Sequence, residues 1–169
     1  MNIILLGYRG CGKSTLGRQL AQKTWKDFFD IDALVREQYD GATVSEIWET
    51  HGEPAYRAAE VRVTQKVVEK DNCVIALGGG TLMQPGARAA VMTAPDSKRI
   101  YLHCRPTQLA QRIAGDPQGM AGRPALTLGA SGSNDADEIE QVLIERDPVY
   151  RAVADAVLDV THIDLEGSL

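Results

Sequence analysis

Gly7-Tyr8-Arg9-Gly10-Cys11-Gly12-Lys13-Ser14-Thr15 fits the phosphate-loop spacing GxxxxGK[ST]. Its residue types suit one chemistry. Glycines reach the φ values that turn successive backbone N–H groups inward at a phosphate. Lys13 is placed to reach β- and γ-phosphates, and the Ser14 hydroxyl is of the kind that ligates Mg2+. Chance produces this spacing in roughly 1% of chains of such length, so its context decides. Ahead of it, MNIILL (1–6) is a short apolar run that reads as a strand buried on both faces. Behind it, 12–22 carries Leu16 and Leu20 four apart with Gly17 and Ala21 beside them, which predicts a helix packed closely on that strand. A helix that opens on the loop offers its positive end to the same anion. Nucleotide binding is therefore expected, with Gly10, Cys11, Gly12, Lys13, Ser14 and Thr15 around the phosphates.

Further along, short apolar strands alternate with helical patterns. Strands are expected at 28–31, 73–77, 99–103 and 156–160, and helices at 33–39, 53–70, 85–93, 106–114 and 135–151. Thr43 followed by Glu46 is a capping-box signature for another helix to about residue 50. Pro54 sits where a first helical turn tolerates proline, and Asp40-Gly41 is a helix stop. This alternation predicts one α/β domain over 1–169 with a parallel sheet covered on both faces. The segment 115–134, with five glycines and two prolines, is long for a connection and reads as a functional loop.

Composition narrows the function. The chain has 169 residues, 44% hydrophobic and 24% charged, with 18 Lys plus Arg against 23 Asp plus Glu. A net charge of −5 disfavours general nucleic-acid binding, so anionic ligands must be met by locally placed cations. Ile3–Leu6 is too short for a bilayer span and lacks a basic leader, so neither a membrane segment nor a signal peptide is expected. Three widely spaced cysteines (Cys11, Cys73, Cys104) make neither a disulfide framework nor a zinc site, and a cytoplasmic compartment is the default. His51, His103 and His162 receive no chemistry.

Among phosphate-loop proteins, a GTPase wants an Asn-Lys-x-Asp segment, and this chain has no Asn-Lys pair. Motor and transporter ATPases usually need longer chains, so a small-molecule kinase with a closing lid fits best. Arg123, inside the glycine-rich stretch, is a candidate cation over the transferring phosphoryl group, and Arg112 a candidate platform for adenine. Solvated surface arginines are the plain alternative for both. Asp30 and Asp32 lie two apart at a predicted strand end, on one face if extended, where one could hold Mg2+ through water and the other a substrate hydroxyl. Alternatively, Asp32 merely caps the next helix. Arg57 and Glu60 are either an exposed ion pair of little worth or an arginine aimed by its neighbour at an anionic substrate. Gly78-Gly79-Gly80 is either a tight turn or a site of close backbone approach with N–H donors.

Taken in order, GYRGCGKSTLGRQLA, FFDID, GATVSEIWETHGEPAYRAAE, VIALGGG, RPAL and ERDPVYRAVAD resemble the successive signatures of the shikimate kinases over nearly the whole chain. The resemblance implies a phosphate-loop fold of the nucleoside monophosphate kinase type. That is a three-layer α/β sandwich with a five-stranded parallel sheet, a substrate-binding segment at about 32–60 and a lid at about 112–125. It implies transfer of phosphate from ATP to the 3-hydroxyl of shikimate with Mg2+. Lys13 and Ser14 would bind phosphates and metal, with Asp30 a further metal contact. Asp32 would hold or deprotonate the attacking hydroxyl, and Arg57 and Arg146 would clamp the carboxylate with Gly79 and Gly80 as backbone donors. Arg123 would be the lid arginine and Arg112 would lie against adenine. A monomer with no nucleic-acid or membrane partner is expected. Tyr56 and Trp48 stand where that family commonly carries Phe, and Trp48 is expected in the core of the substrate segment rather than against ligand. Arg9 could add a cation near the substrate, and the lid reads RPAL rather than RPLL. The rival functions are another small-metabolite kinase, gluconate-type, and a regulatory module that binds ATP without transfer.

Overall fold

The structure, a computed structural model, describes residues 1–116 and 136–163. Arg123 and most of the predicted lid lie outside the described residues. Five strands, β1 (Asn2–Leu6), β2 (Asp27–Asp30), β3 (Cys73–Ala76), β4 (Ser97–His103) and β5 (Ala156–Asp159), form one sheet in the order β2-β3-β1-β4-β5. Every neighbouring pair is parallel, with Ile4 opposite Ile75 and Leu6 opposite Tyr101. The chain passes from β3 to β4 across β1, so β1 ends at the centre of the sheet. In open parallel sheets, ligands bind outside such carboxyl ends.

Seven helices accompany the strands among the described residues: α1 (Lys13–Thr24), α2 (Ile31–Glu37), α3 (Val44–His51), α4 (Glu53–Val68), α5 (Pro85–Thr93), α6 (Pro106–Ala114) and α7 (Ala136–Val153). A short 3-10 turn covers Thr81–Met83. Strand alternation divides the core. Ile4, Leu6, Ile75 and Tyr101 face one layer with Val35, Ile47, Ala59, Val63 and Tyr150. Leu5, Val74 and Leu102 face the other with Leu16, Ala21, Leu109, Ile113 and Ile139. Helix α7 reaches both layers, Ile139 on one side and Tyr150 on the other. A Cβ on Gly17 would lie 2.8 Å from the Phe28 ring, so the predicted close approach of α1 to the sheet is real.

Local signals were well obeyed. Thr43 Oγ1 accepts from the Glu46 N–H while the Glu46 carboxylate accepts from the Thr43 N–H, a complete capping box. Gly41, at φ 81°, donates its N–H to Arg36 O and ends α2. One boundary differs with consequence. The second strand stops at Asp30 and Ile31 opens α2, because the Asp30 carboxylate accepts from the Ala33 N–H and Ile31 enters the core.

Strand β5 is pinned to β4 by a two-pronged ion pair. Asp155 accepts from Arg99 Nε (2.9 Å), Nη2 (2.9 Å) and backbone N (2.8 Å). These bonds favour the ionised form and hold the carboxyl down at about 2. Because the folded pKa lies below the unfolded one, this contribution is present above about pH 4 and is lost as pH falls through about 2. Asp155→Asn is accordingly expected to lower Tm by about 1–3 °C at neutral pH. It should also flatten the fall of Tm between about pH 4 and 2; an unchanged acid limb would remove the assignment.

Candidate active site

The loop after β1 coils around its own backbone. Gly7, Gly10 and Gly12 take φ of 142°, 77° and 94°. At Gly10 and Gly12 these are left-handed values that a side chain resists. Gly10 is also crowded, since a Cβ there would meet Ile113 of α6 at 2.9 Å. Lys13 begins α1 and is buried. Its ammonium donates to Gly7 O (2.8 Å) and Tyr8 O (2.7 Å), which curls the side chain over the loop. Cys11 is fully buried with its sulfur beside that ammonium, leaving only its backbone for a ligand. Ser14 and Thr15 are exposed at the head of α1.

Ser14 Oγ donates to Asp30 Oδ2, while Asp30 Oδ1 caps α2. The two candidate metal ligands are thus brought together, as hard oxygen donors at the mouth of the loop. The expectation that Asp30 and Asp32 share one extended face is corrected: Asp32 lies in the first turn of α2, and Asp30, not Asp32, is the cap. Asp32 instead receives the Tyr56 hydroxyl on Oδ1 at 2.9 Å.

Beside the loop lies an open cleft. Asp32, Arg57, Gly79, Gly80 and Arg146, drawn from four separate stretches of chain, all line it, as does Arg9. Arg57 is held on every side. Its guanidinium bonds Glu60 (3.0 Å) and Glu53 (3.1 Å) and lies 5.4 Å from the Trp48 ring and 5.6 Å from the Tyr56 ring. Glu60 is 1% exposed and also accepts from Thr81 Oγ1 at 2.6 Å. Burial pushes the Glu60 carboxyl up, and Arg57 offsets this only in part. Burial also works against the charge on Arg57, but Glu60 and Glu53 more than compensate and raise its pKa. The Arg57–Glu60 pair is therefore no surface ornament.

The triple glycine is explained by crowding rather than by a turn alone. A Cβ on Gly78 would come within 2.5 Å of Asp32 Oδ1 and 2.8 Å of Glu60 Oε1, and one on Gly80 within 2.8 Å of Arg57 Nη1. Gly79 O accepts from Arg146 Nη1 (3.1 Å) and the Tyr150 hydroxyl, tying α7 to the cleft. Arg146 also faces the Tyr8 ring at 5.9 Å. Trp48 packs against the core as expected but also lines the cleft, which corrects its placement as core alone.

Arg112 stands on α6, next to the Ile113 that abuts Gly10. Its guanidinium donates to Val160 O (2.7 Å), Ile163 O (2.8 Å) and Cys104 Sγ (3.5 Å), which fixes its plane. Sequence reasoning did not foresee three contributors: the Tyr56 hydroxyl, Thr81 and Tyr150. Tyr56 and Tyr150 lay within quoted signatures, but nothing there marked either hydroxyl, and Thr81 lay one residue past VIALGGG.

The whole frame has close counterparts. The family model described as shikimate kinase matches residues 9–166. The chain is 35% identical to the shikimate kinase of Rhodopirellula baltica, covering 99% of this chain and 86% of that one. It is 36% identical to that of Nitrosococcus oceani, over 93% of this chain and 77% of the relative. Among solved structures, a shikimate kinase from Acinetobacter baumannii in complex with shikimate superposes with a TM-score of 0.81 at 31% identity, covering 93% and 82%. One from Bacteroides thetaiotaomicron gives 0.83 at 30% identity, covering 97% and 89%. Likeness of this extent, along a chain whose phosphate loop and arginine-lined cleft share one sheet end, means that the chain belongs to the shikimate kinase family, ATP-dependent phosphotransferases on the phosphate-loop fold.

Proposed function

We propose that the chain transfers the γ-phosphoryl group of ATP to the 3-hydroxyl of shikimate, giving 3-phosphoshikimate and ADP. The observation that carries this reading is the cleft, where Arg57 and Arg146 converge beside Asp32 and the phosphate loop. Two planar guanidiniums suit a carboxylate, and a carboxylate suits a neutral hydroxyl. The same pairing lets a chain of charge −5 bind two anions.

In this mechanism the loop amides and Lys13 cradle the β- and γ-phosphates. Lys13 trades the Gly7 and Tyr8 carbonyls for phosphate oxygens, a short swing of one flexible stem. Arg57 and Arg146 fix the acid end of the substrate, with Gly79 and Gly80 alongside. Asp32 accepts the hydrogen bond of the hydroxyl that attacks phosphorus in line. The bond from phosphorus to the β–γ bridging oxygen breaks, ADP leaves with that electron pair, and the hydroxyl proton passes to Asp32 or solvent. Mg2+, which Ser14 and, through water, Asp30 would hold, would neutralise charge on the ATP phosphates. Two oxygen ligands leave room for the waters and phosphate oxygens that Mg2+ keeps. Arg112 is assigned to adenine and Arg123, from sequence alone, to the transferring phosphoryl group. The three cysteines are free and buried, which supports a cytoplasmic setting; no helix among the described residues is long and apolar enough to cross a membrane.

Coupled ADP release tests the reading. With Mg2+ and ATP, ADP should form in proportion to added shikimate and stay at background with no acceptor or with gluconate. ADP release with gluconate alone would favour the other metabolite-kinase class. ATP binding without turnover on any acceptor would favour a regulatory module.

A further inference from the structure

The Tyr56 hydroxyl donates to Asp32 Oδ1 at 2.9 Å from a side chain only 2% exposed. Its ring is fixed independently of that bond: Trp48 meets it edge-on at 6.4 Å and the Arg57 guanidinium lies 5.6 Å from its centroid. Burial and the nearby Asp32 and Glu60 carboxylates push the phenol far above its usual range, so it stays protonated and acts as a donor. The Gly78 backbone closes on the same Oδ1, where a Cβ would come within 2.5 Å.

We propose that Tyr56 is a positioning residue for phosphoryl transfer, its hydroxyl holding Oδ1 so that the Asp32 carboxylate presents Oδ2 to the substrate hydroxyl at a set angle. The proposal rests on the reading above that Asp32 receives that hydroxyl. Two effects of the bond oppose one another. Donation to Oδ1 occupies one of the two oxygens that could take the hydroxyl proton, which slows any step limited by proton removal. It also removes the torsional freedom of the carboxylate, which speeds a step limited by alignment. Phosphoryl transfer runs through a loose transition state with little bond formation to the nucleophile. Little proton transfer is therefore complete at the top of the barrier, and alignment outweighs basicity.

Tyr56→Phe keeps the ring, its edge contact with Trp48 and its face to Arg57, and removes only the hydroxyl. The expected result is a fall in kcat of about fivefold, with KM for shikimate and for ATP within about twofold of the parent. In an Asp32→Asn background, the same substitution should leave the residual kcat unchanged, because the oriented group is already gone. A merely structural Tyr56 would instead lower kcat by the same factor in both backgrounds, and that result overturns the proposal. So does an unchanged kcat in Tyr56→Phe, or a loss expressed only in KM. Failure of the underlying reading shows separately: Asp32→Asn would then keep near-parent kcat whatever Tyr56 does.

Discussion

Lys13→Met is expected to lower kcat by roughly a thousandfold while leaving Tm within a few degrees of the parent. The ammonium is the one side-chain cation that α1 places inside the coil of the loop, buried and bonded to Gly7 O and Tyr8 O. In the proposed mechanism this cation meets the charge that grows on the β–γ bridging oxygen during transfer. Methionine has nearly the same length and stays apolar against Cys11, so the stem's packing survives. Of the two carbonyls that lose a donor, Tyr8 O keeps the Cys11 N–H at 3.4 Å, so the loop retains part of its own bonding. Single-turnover ADP release and a melting curve check both halves. Near-normal kcat would remove Lys13 from the chemistry, and a collapsed Tm would show that it holds the loop together instead.

The loop was legible because its requirements are local. Three glycines at positive φ, a lysine opening a helix and an apolar strand before it all lie within about 20 residues. Capping at Thr43 and the proline starts of α5 and α6 were legible for the same reason. The end of β2 was not. FFDID suits either a strand running on to Ile31 or a turn at Asp30, and the choice falls to the core, which takes Ile31 as the first helical residue. Asp32 still reaches the cleft, by helix geometry rather than strand pleat.

Glu60 shows the limit more sharply. Its spacing from Arg57 was visible, but a pair three apart on a helix usually sits in water. Thr81 and Gly78, some 20 residues on, close over it and turn the pair into a buried support. Gly79, expected to offer its N–H to a substrate, also uses its carbonyl within the protein, through Arg146 and Tyr150 from α7. Partners nearly 70 residues apart leave no periodicity to read. The aromatic character of position 56 was plain, whereas the use of its hydroxyl depends on an aspartate 24 residues earlier.

That difference in support decides which arginine gives the cleaner test of carboxylate recognition. Truncating Arg57 would strip the cation from Glu60, a carboxylate 1% exposed, and an unpaired buried charge costs about 3–5 kcal/mol. Any loss of activity would then mix binding with a damaged cleft floor. Arg146 carries no such burden. It bonds the Gly79 carbonyl, which keeps the Tyr150 hydroxyl when Arg146 is gone, and it lies over the Tyr8 ring. Arg146→Ala is therefore expected to raise KM for shikimate by roughly 10- to 100-fold, the worth of a charge-assisted hydrogen-bond pair at about 1.5–3 kcal/mol. KM for ATP should move by less than about twofold, and Tm should hold within a few degrees. Arg146→Lys should recover only part of the loss, since an ammonium restores charge but not two parallel N–H bonds. A rise confined to KM for ATP would move Arg146 to the nucleotide side of the cleft, and full recovery with lysine would make its role one of charge alone.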